Sequence, residues 1–191
     1  MNFNKHFDLE GKHAFLGASK YSWLNYDADK LRESYLTNQA RYRGTQLHEL
    51  ASQLIKLGVK LPDTHQTLNL FVNDAIGYRM QSEQILYYSR NCFGTADAIS
   101  YKEREKKLRI HDLKTGVTPA SMKQLYIYTA LFCLEYAMDP HSMDIELRIY
   151  QFDDIETCVP EVTDILQVMQ KIRSFDLLLN ELHEEEENAW M

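Results

Sequence analysis

Residues 94–114 read Gly94-Thr95-Ala96-Asp97-Ala98-Ile99-Ser100-Tyr101, then the charged run Lys102-Glu103-Arg104-Glu105-Lys106, then Lys107-Leu108-Arg109-Ile110-His111-Asp112-Leu113-Lys114. The two flanks alternate with the two-residue period of a strand, and the charged run between them reads as a turn, so the stretch is a β-hairpin. Along its first strand Asp97, Ile99 and Tyr101 share a face, and along its second so do Leu108, Ile110, Asp112 and Lys114. With the turn centred between Arg104 and Glu105, Tyr101 opposes Leu108, Ile99 opposes Ile110, and Asp97 opposes Asp112. A slip of one residue would send all of these side chains to the other face. No Asn-Gly or Asp-Gly pair marks the centre of the turn.

In this register two aspartates meet at the end of an apolar face. Like charges opposed on neighbouring strands are destabilising, and a half-buried pair must share a proton unless a cation sits between them. A divalent ion removes the conflict, and hard oxygen donors suit magnesium or manganese better than zinc. The backbone carbonyl of Leu113 is a further candidate oxygen. Lys114 shares the face of Asp112, where an ammonium can orient or deprotonate a water, or stabilise charge on a phosphate. The plainer reading makes Lys114 a salt-bridge partner of two strand-end aspartates. Gly94-Thr95-Ala96-Asp97, in phase one strand earlier, tips the balance towards a metal site.

Working outward, Thr118-Pro119 reads as a helix entry, and the helix is expected to run to about Ala137, apolar nearly all round and therefore buried. Gln124 and Tyr128 are four apart and share a face of it. Asp144 to Phe152 alternates as another strand, and Val159-Pro160 opens an amphipathic helix striped by Ile165, Met169, Ile172, Phe175 and Leu179. Glu184 to Glu187 reads as a solvated acidic tail. Upstream, Ile85 to Tyr88 is the first strand of a three-stranded meander. Asp29 to Leu57 is a long helix with Leu47, Leu50, Ala51, Leu54 and Ile55 on one face and Gly58 as its stop. A short segment opening at Ala18 precedes it, and Leu68 to Met80 reads ambiguously. His48 lies at the edge of the Leu47 stripe and is a candidate imidazole ligand. Glu83 reads as a solvated residue ahead of a ligand, and Cys92 as packing.

Composition bounds the rest. A chain of 191 residues with 45% hydrophobic and 12% aromatic content, 7 Gly and 4 Pro suits one globular domain of mixed α and β structure. No apolar run reaches the roughly 18 residues of a membrane span. The first residues lack a secretory segment, and three scattered cysteines suit neither a disulfide framework nor a closed zinc site, so a reduced, cytoplasmic setting is expected. The net charge of -7 argues against non-specific coating of nucleic acid, but leaves room for a local basic groove drawn from Arg41, Arg43, Lys102, Arg104, Lys106, Lys107 and Lys123.

Taken together, Asp97, the Asp112-x-Lys114 tripeptide, the Gln124-x-x-x-Tyr128 pair and the upstream His48 resemble the PD-(D/E)XK nuclease superfamily in its RecB-like branch. The likeness covers roughly His48 to Tyr128. It implies an α/β, restriction-endonuclease-like αβββαβ core with a mixed sheet flanked by helices, preceded by a mostly helical part over 1–60. The catalytic sheet and helix would occupy 83–152, the last helix 160–183 and the acidic tail 184–191. It implies that Asp97 and Asp112 hold Mg2+ or Mn2+ with His48 and the Leu113 carbonyl, that Lys114 acts on the attacking water, and that Gln124 and Tyr128 position substrate. The expected activity is hydrolysis of DNA to 5′-phosphate ends, as an exonuclease in recombination, repair or phage DNA processing. The alternatives are a DNA endonuclease and a non-cleaving DNA-binding recombination factor. Four clustered cysteines for an iron–sulfur cluster and any helicase motif are both missing, which points to a stand-alone nuclease. The expected partners are DNA, a recombinase, single-strand-binding protein or helicase on a separate chain, and further copies of the same chain, with no membrane.

Overall fold

A computed structural model describes residues 5–9 and 11–189. Backbone contacts divide the chain into two compact units, the first ending at Arg43 and the second beginning at Gly44. In the first, the segment from Ala18 is a 3-10 helix, Ala18–Asn25; Trp23 donates its indole N–H to the Gly17 carbonyl at 3.0 Å. Helix α1, Ala28–Leu57, carries the chain onward and matches the expected span. Gly58 at φ 67 ends it, in the left-handed conformation that glycine adopts without strain.

The second unit is α/β. After α1 come α2 (Thr67–Gly77), β1 (Gln81–Ser89), β2 (Cys92–Lys102), β3 (Lys107–Leu113), α3 (Lys123–Glu135), β4 (Asp144–Gln151), β5 (Asp154–Cys158) and α4 (Val162–Ala189). The sheet order is β1-β2-β3-β4-β5, antiparallel except for the parallel β3–β4 pair. A parallel pair needs a crossover, and α3 lies in it. The order α, three strands, α, strand is therefore the expected αβββαβ core. The hairpin register also holds: Tyr101 faces Leu108 and Ile99 faces Ile110.

Both faces of the sheet are covered. Ile99, Leu108, Ile110 and Leu147 pack against Leu125, Leu131 and Phe132 of α3. On the opposite face Ala98, Leu113 and Tyr150 pack against Ala51 and Ile55 of α1 and against Phe71, Val72 and Ala75 of α2. Central β3 is buried along nearly its whole length, as a strand covered on both sides must be. Helix α4 seats Ile165 and Met169 on Ala130 and Cys133 of α3. Among the described residues no helix is long and apolar enough to cross a membrane.

Four local expectations change. The segment 68–80 is helical through Gly77, its Leu68, Phe71, Val72 and Ala75 recurring at helical spacing. Helix α3 starts at Lys123, not at Thr118-Pro119, because another group satisfies the intervening backbone. The Gln151 amide donates to the carbonyls of Gly116 and Thr118, both at 2.8 Å, and accepts from the Ala120 N–H at 2.9 Å. Strand β5 adds to the expected order; Ile155 and Cys158 are its apolar residues, too few to signal a strand, and its hairpin turns through Phe152 and Asp153 at φ 55 and 57 without a glycine. Finally, Glu184 to Glu187 is not a tail beyond α4 but part of it.

Candidate metal centre

The strand registers assemble a row of carboxylates. Ser82 pairs with Ala98 and Gln84 with Ala96, which sets Glu83 opposite Asp97. Ala98 pairs with His111 and Ile99 with Ile110, and the same register carried one step further sets Asp97 level with Asp112. Three acidic residues thus stand side by side across β1, β2 and β3. Glu83 sits at φ 52, a left-handed conformation that is strained for a residue with a Cβ and that marks an irregularity in β1 at this point.

His48 reaches the row from the second half of α1, its Nδ1 3.4 Å from Asp97 Oδ2. The same oxygen accepts the Leu113 backbone N–H at 2.8 Å. One ligand atom each from His48, Glu83 and Asp97 lies within 4.8 Å of the others, and among the described residues this is the group so disposed. Asp112 is outside that group and is held by Lys114, whose Nζ lies 3.1 Å from Oδ1 and 2.8 Å from Oδ2. Lys114 also donates to Gln124 Oε1 at 2.7 Å, and the Gln124 amide donates to Tyr128 Oη at 2.8 Å. A continuous polar chain therefore runs Asp112–Lys114–Gln124–Tyr128, linking β3 to α3. A cavity of about 240 Å³ opens beside Lys114, bordered by Leu47, Gly116 and Val117.

The electrostatics follow from this crowding. Burial, reinforced by the charge of Asp97, pushes the Asp112 carboxyl up to about 6, with Lys114 pulling the other way. Its residue is 1% exposed, and its Oδ2 has no donor in hydrogen-bond geometry. Glu83 is raised by burial and then by Asp97. His48 is raised chiefly by its bond to Asp97, against the effect of burial. Raised carboxyls beside a raised imidazole describe a centre short of positive charge.

His48, Glu83 and Asp97 form a group that could hold a metal ion. An imidazole and two carboxylates converge, and beside them lies the buried Asp112 carboxylate, whose Oδ2 is paired with Lys114 Nζ at 2.8 Å. Of the residues singled out from the sequence, the structure joins His48 to Asp97 and Asp112 to Lys114, Gln124 and Tyr128. Leu113 lies between the two aspartates with its N–H on Asp97. Glu83, at the start of the first strand and from the sequence a weaker candidate read as solvated, joins the row within β1, which begins at Gln81. Its signal is present in the chain: in a hairpin with β2 it is the residue that meets Asp97.

Of the seven basic residues offered as a groove, Lys123 opens α3 next to Gln124, and four others lie away from the row. Lys102, Arg104, Lys106 and Lys107 lie at the turn of the β2–β3 hairpin, about five residues or roughly 17 Å along the strands from Asp97 and Asp112. Lys107 is committed there to Asp144 at 2.9 Å and Glu146 at 3.2 Å. Cys92 is half-buried with its thiol raised by burial, the opposite of an activated nucleophile. No family model, curated protein or solved structure matches the chain.

Proposed function

We propose that this protein is a metal-dependent nuclease that hydrolyses phosphodiester bonds of DNA, acting as an exonuclease on Mg2+ or Mn2+. The observation that carries the reading is the row Glu83–Asp97–Asp112, with Lys114 bridging its last member to Gln124. The four acidic and imidazole groups, His48, Glu83, Asp97 and Asp112, would hold the ion. When bound, the ion supplies Lewis acidity toward the phosphodiester and the attacking water.

The chain's own residues supply positioning and charge. Lys114 presents its ammonium to the same space as the carboxylates, where it orients the water that attacks phosphorus and stabilises charge gathering on the phosphate oxygens. Water oxygen bonds to phosphorus as the bond to the leaving 3′-oxygen breaks, giving a 5′-phosphate and a 3′-hydroxyl. Gln124 holds Lys114 in place and Tyr128 holds Gln124, so this pair acts by position and by contact with the substrate backbone. Asp97 takes the Leu113 N–H and so is itself fixed in orientation.

Digestion of linear and circular DNA with magnesium, with manganese and with chelator tests the reading beside Lys114→Ala. Wild type is expected to degrade linear DNA with either metal and to leave circles intact. Loss of the ammonium should reduce the rate by about 10²-fold or more. Cutting of circles would make the enzyme an endonuclease, and DNA binding without cutting under every metal would make it a recombination factor. Wild type as inert as the variant, with no DNA bound, sinks the proposal.

A further inference from the structure

Helix α4 outlasts the element that covers it. Its 28 residues span about 42 Å, against about 20 Å for the 13 residues of α3. Ile165 and Met169 sit on Ala130 and Cys133, near the end of α3, whereas Lys171 and Phe175 share a groove of about 780 Å³ with Lys123 and Ile127 at its start. The two helices are thus antiparallel, and α4 runs past the beginning of α3 at about Phe175. The β1–β2 turn holds the next residues: Ser89 and Asn91 both donate to Asp176, and Asn91 donates to Asn180 at 3.0 Å.

The apolar pattern does not stop there. Ile165, Val168, Ile172, Phe175, Leu179 and Leu182 repeat at alternating spacings of three and four, the seam of a coiled coil. Phe175, Leu179 and Leu182 are 56%, 40% and 45% exposed. A seam of this kind left in water gains nothing from its apolar side chains, and a short projecting helix is marginal without packing.

Charge along α4 names the occupant. Lys171, with Lys123 of α3 lining the same groove, sits at the covered end of the seam, and Glu181 and Glu184–Glu187 at the open end. We propose that a second copy of this chain packs its α4 antiparallel on this seam. Phe175 then meets Leu179 of the other copy, Ile172 meets Leu182, and Lys171 faces the acidic run around Glu185. A parallel pair would instead set lysine against lysine and one acidic run against the other.

Sedimentation equilibrium on the full chain at micromolar concentration tests this, with circular dichroism confirming that each variant is folded. Wild type is expected at twice the 22.5 kDa chain mass, and Leu179→Glu, at an exposed position, at the chain mass. Lys171→Glu and Glu185→Lys should each weaken association by about tenfold, and the double exchange should restore it. A wild type that is monomeric throughout overturns the proposal and leaves the seam to a different protein. So does a dimer indifferent to Leu179→Glu, or a double exchange weaker than either single one. None of these outcomes depends on nuclease activity.

Discussion

At Asp112 two demands pull against each other. Its carboxylate belongs to a row that is useful only when ionised, yet burial and Asp97 push its pKa up to about 6, well above the ordinary 3.8. Between those values the folded chain binds a proton that the unfolded chain has released, and the stability this contributes is lost as pH rises through about 6. Above that pH the metal-free protein carries a buried charge that Lys114 only partly offsets. In chelator, Asp112→Asn should therefore be more stable than wild type by about 1–3 kcal/mol near pH 8, by about half of that near pH 5, and close to it only below about pH 4. Thermal melts across that range measure the gap; a gap that does not change with pH would rule out the Asp112 proton as its source. The same variant should lose activity, as expected where a strained charge serves chemistry. Asp97, Asp112 and Lys114 are legible in the sequence because period-two alternation and one turn place them. Glu83 is less so, since its strand begins in polar residues, Gln81-Ser82, that carry no alternation.

Between elements, the site depends on a close approach of β2 to α3. A Cβ built on Gly94 would lie 2.9 Å from Cε1 of the Tyr128 ring, which is buried and tied through its hydroxyl to Gln124. The ring cannot swing aside without breaking that bond, so Gly94→Ala should cost about 1–3 kcal/mol of stability and reduce DNA cleavage. Gly116→Ala, where nothing lies within 4 Å, is the matched control and should stay within about 0.5 kcal/mol of wild type. Chemical denaturation of the two variants separates them, and equal effects would show that the approach is not tight. At this scale the sequence misleads in one instructive way. Thr118-Pro119 has the chemistry of a helix start, but Gln151, 33 residues from Thr118, satisfies the loop backbone instead. Local signals cannot register a partner on another strand.

Over the whole molecule, the sheet face away from α3 holds a second polar network. His111 is fully buried, 3.1 Å from the Tyr150 hydroxyl and edge-on to Tyr78, while Arg148 bonds to Asp74 at 2.8 Å. Burial, then the charges of Arg148 and Arg109, depress His111 to about 3. Below its ordinary 6.5 the unfolded chain therefore takes up a proton that the folded chain refuses. Stability should fall with decreasing pH from there towards 3, by up to about 1.4 kcal/mol per unit from this group. His111→Gln removes the proton and should flatten that slope; urea unfolding at about pH 7 and about pH 5 compares them. An unchanged slope would assign acid sensitivity to other groups.

The hairpin, its register, the order of the αβββαβ core and the pairing of Asp97 with Asp112 were determined by the amino-acid sequence alone, since each rests on a period or a turn within a few residues. Long-range packing decided the rest. It brought His48 of α1 against Asp97, set Glu83 beside them, gave the 116–120 loop to Gln151 and left half of the α4 stripe uncovered. Periodicity names which side chains share a face, but what that face meets is fixed by the lengths and positions of elements distant in the chain.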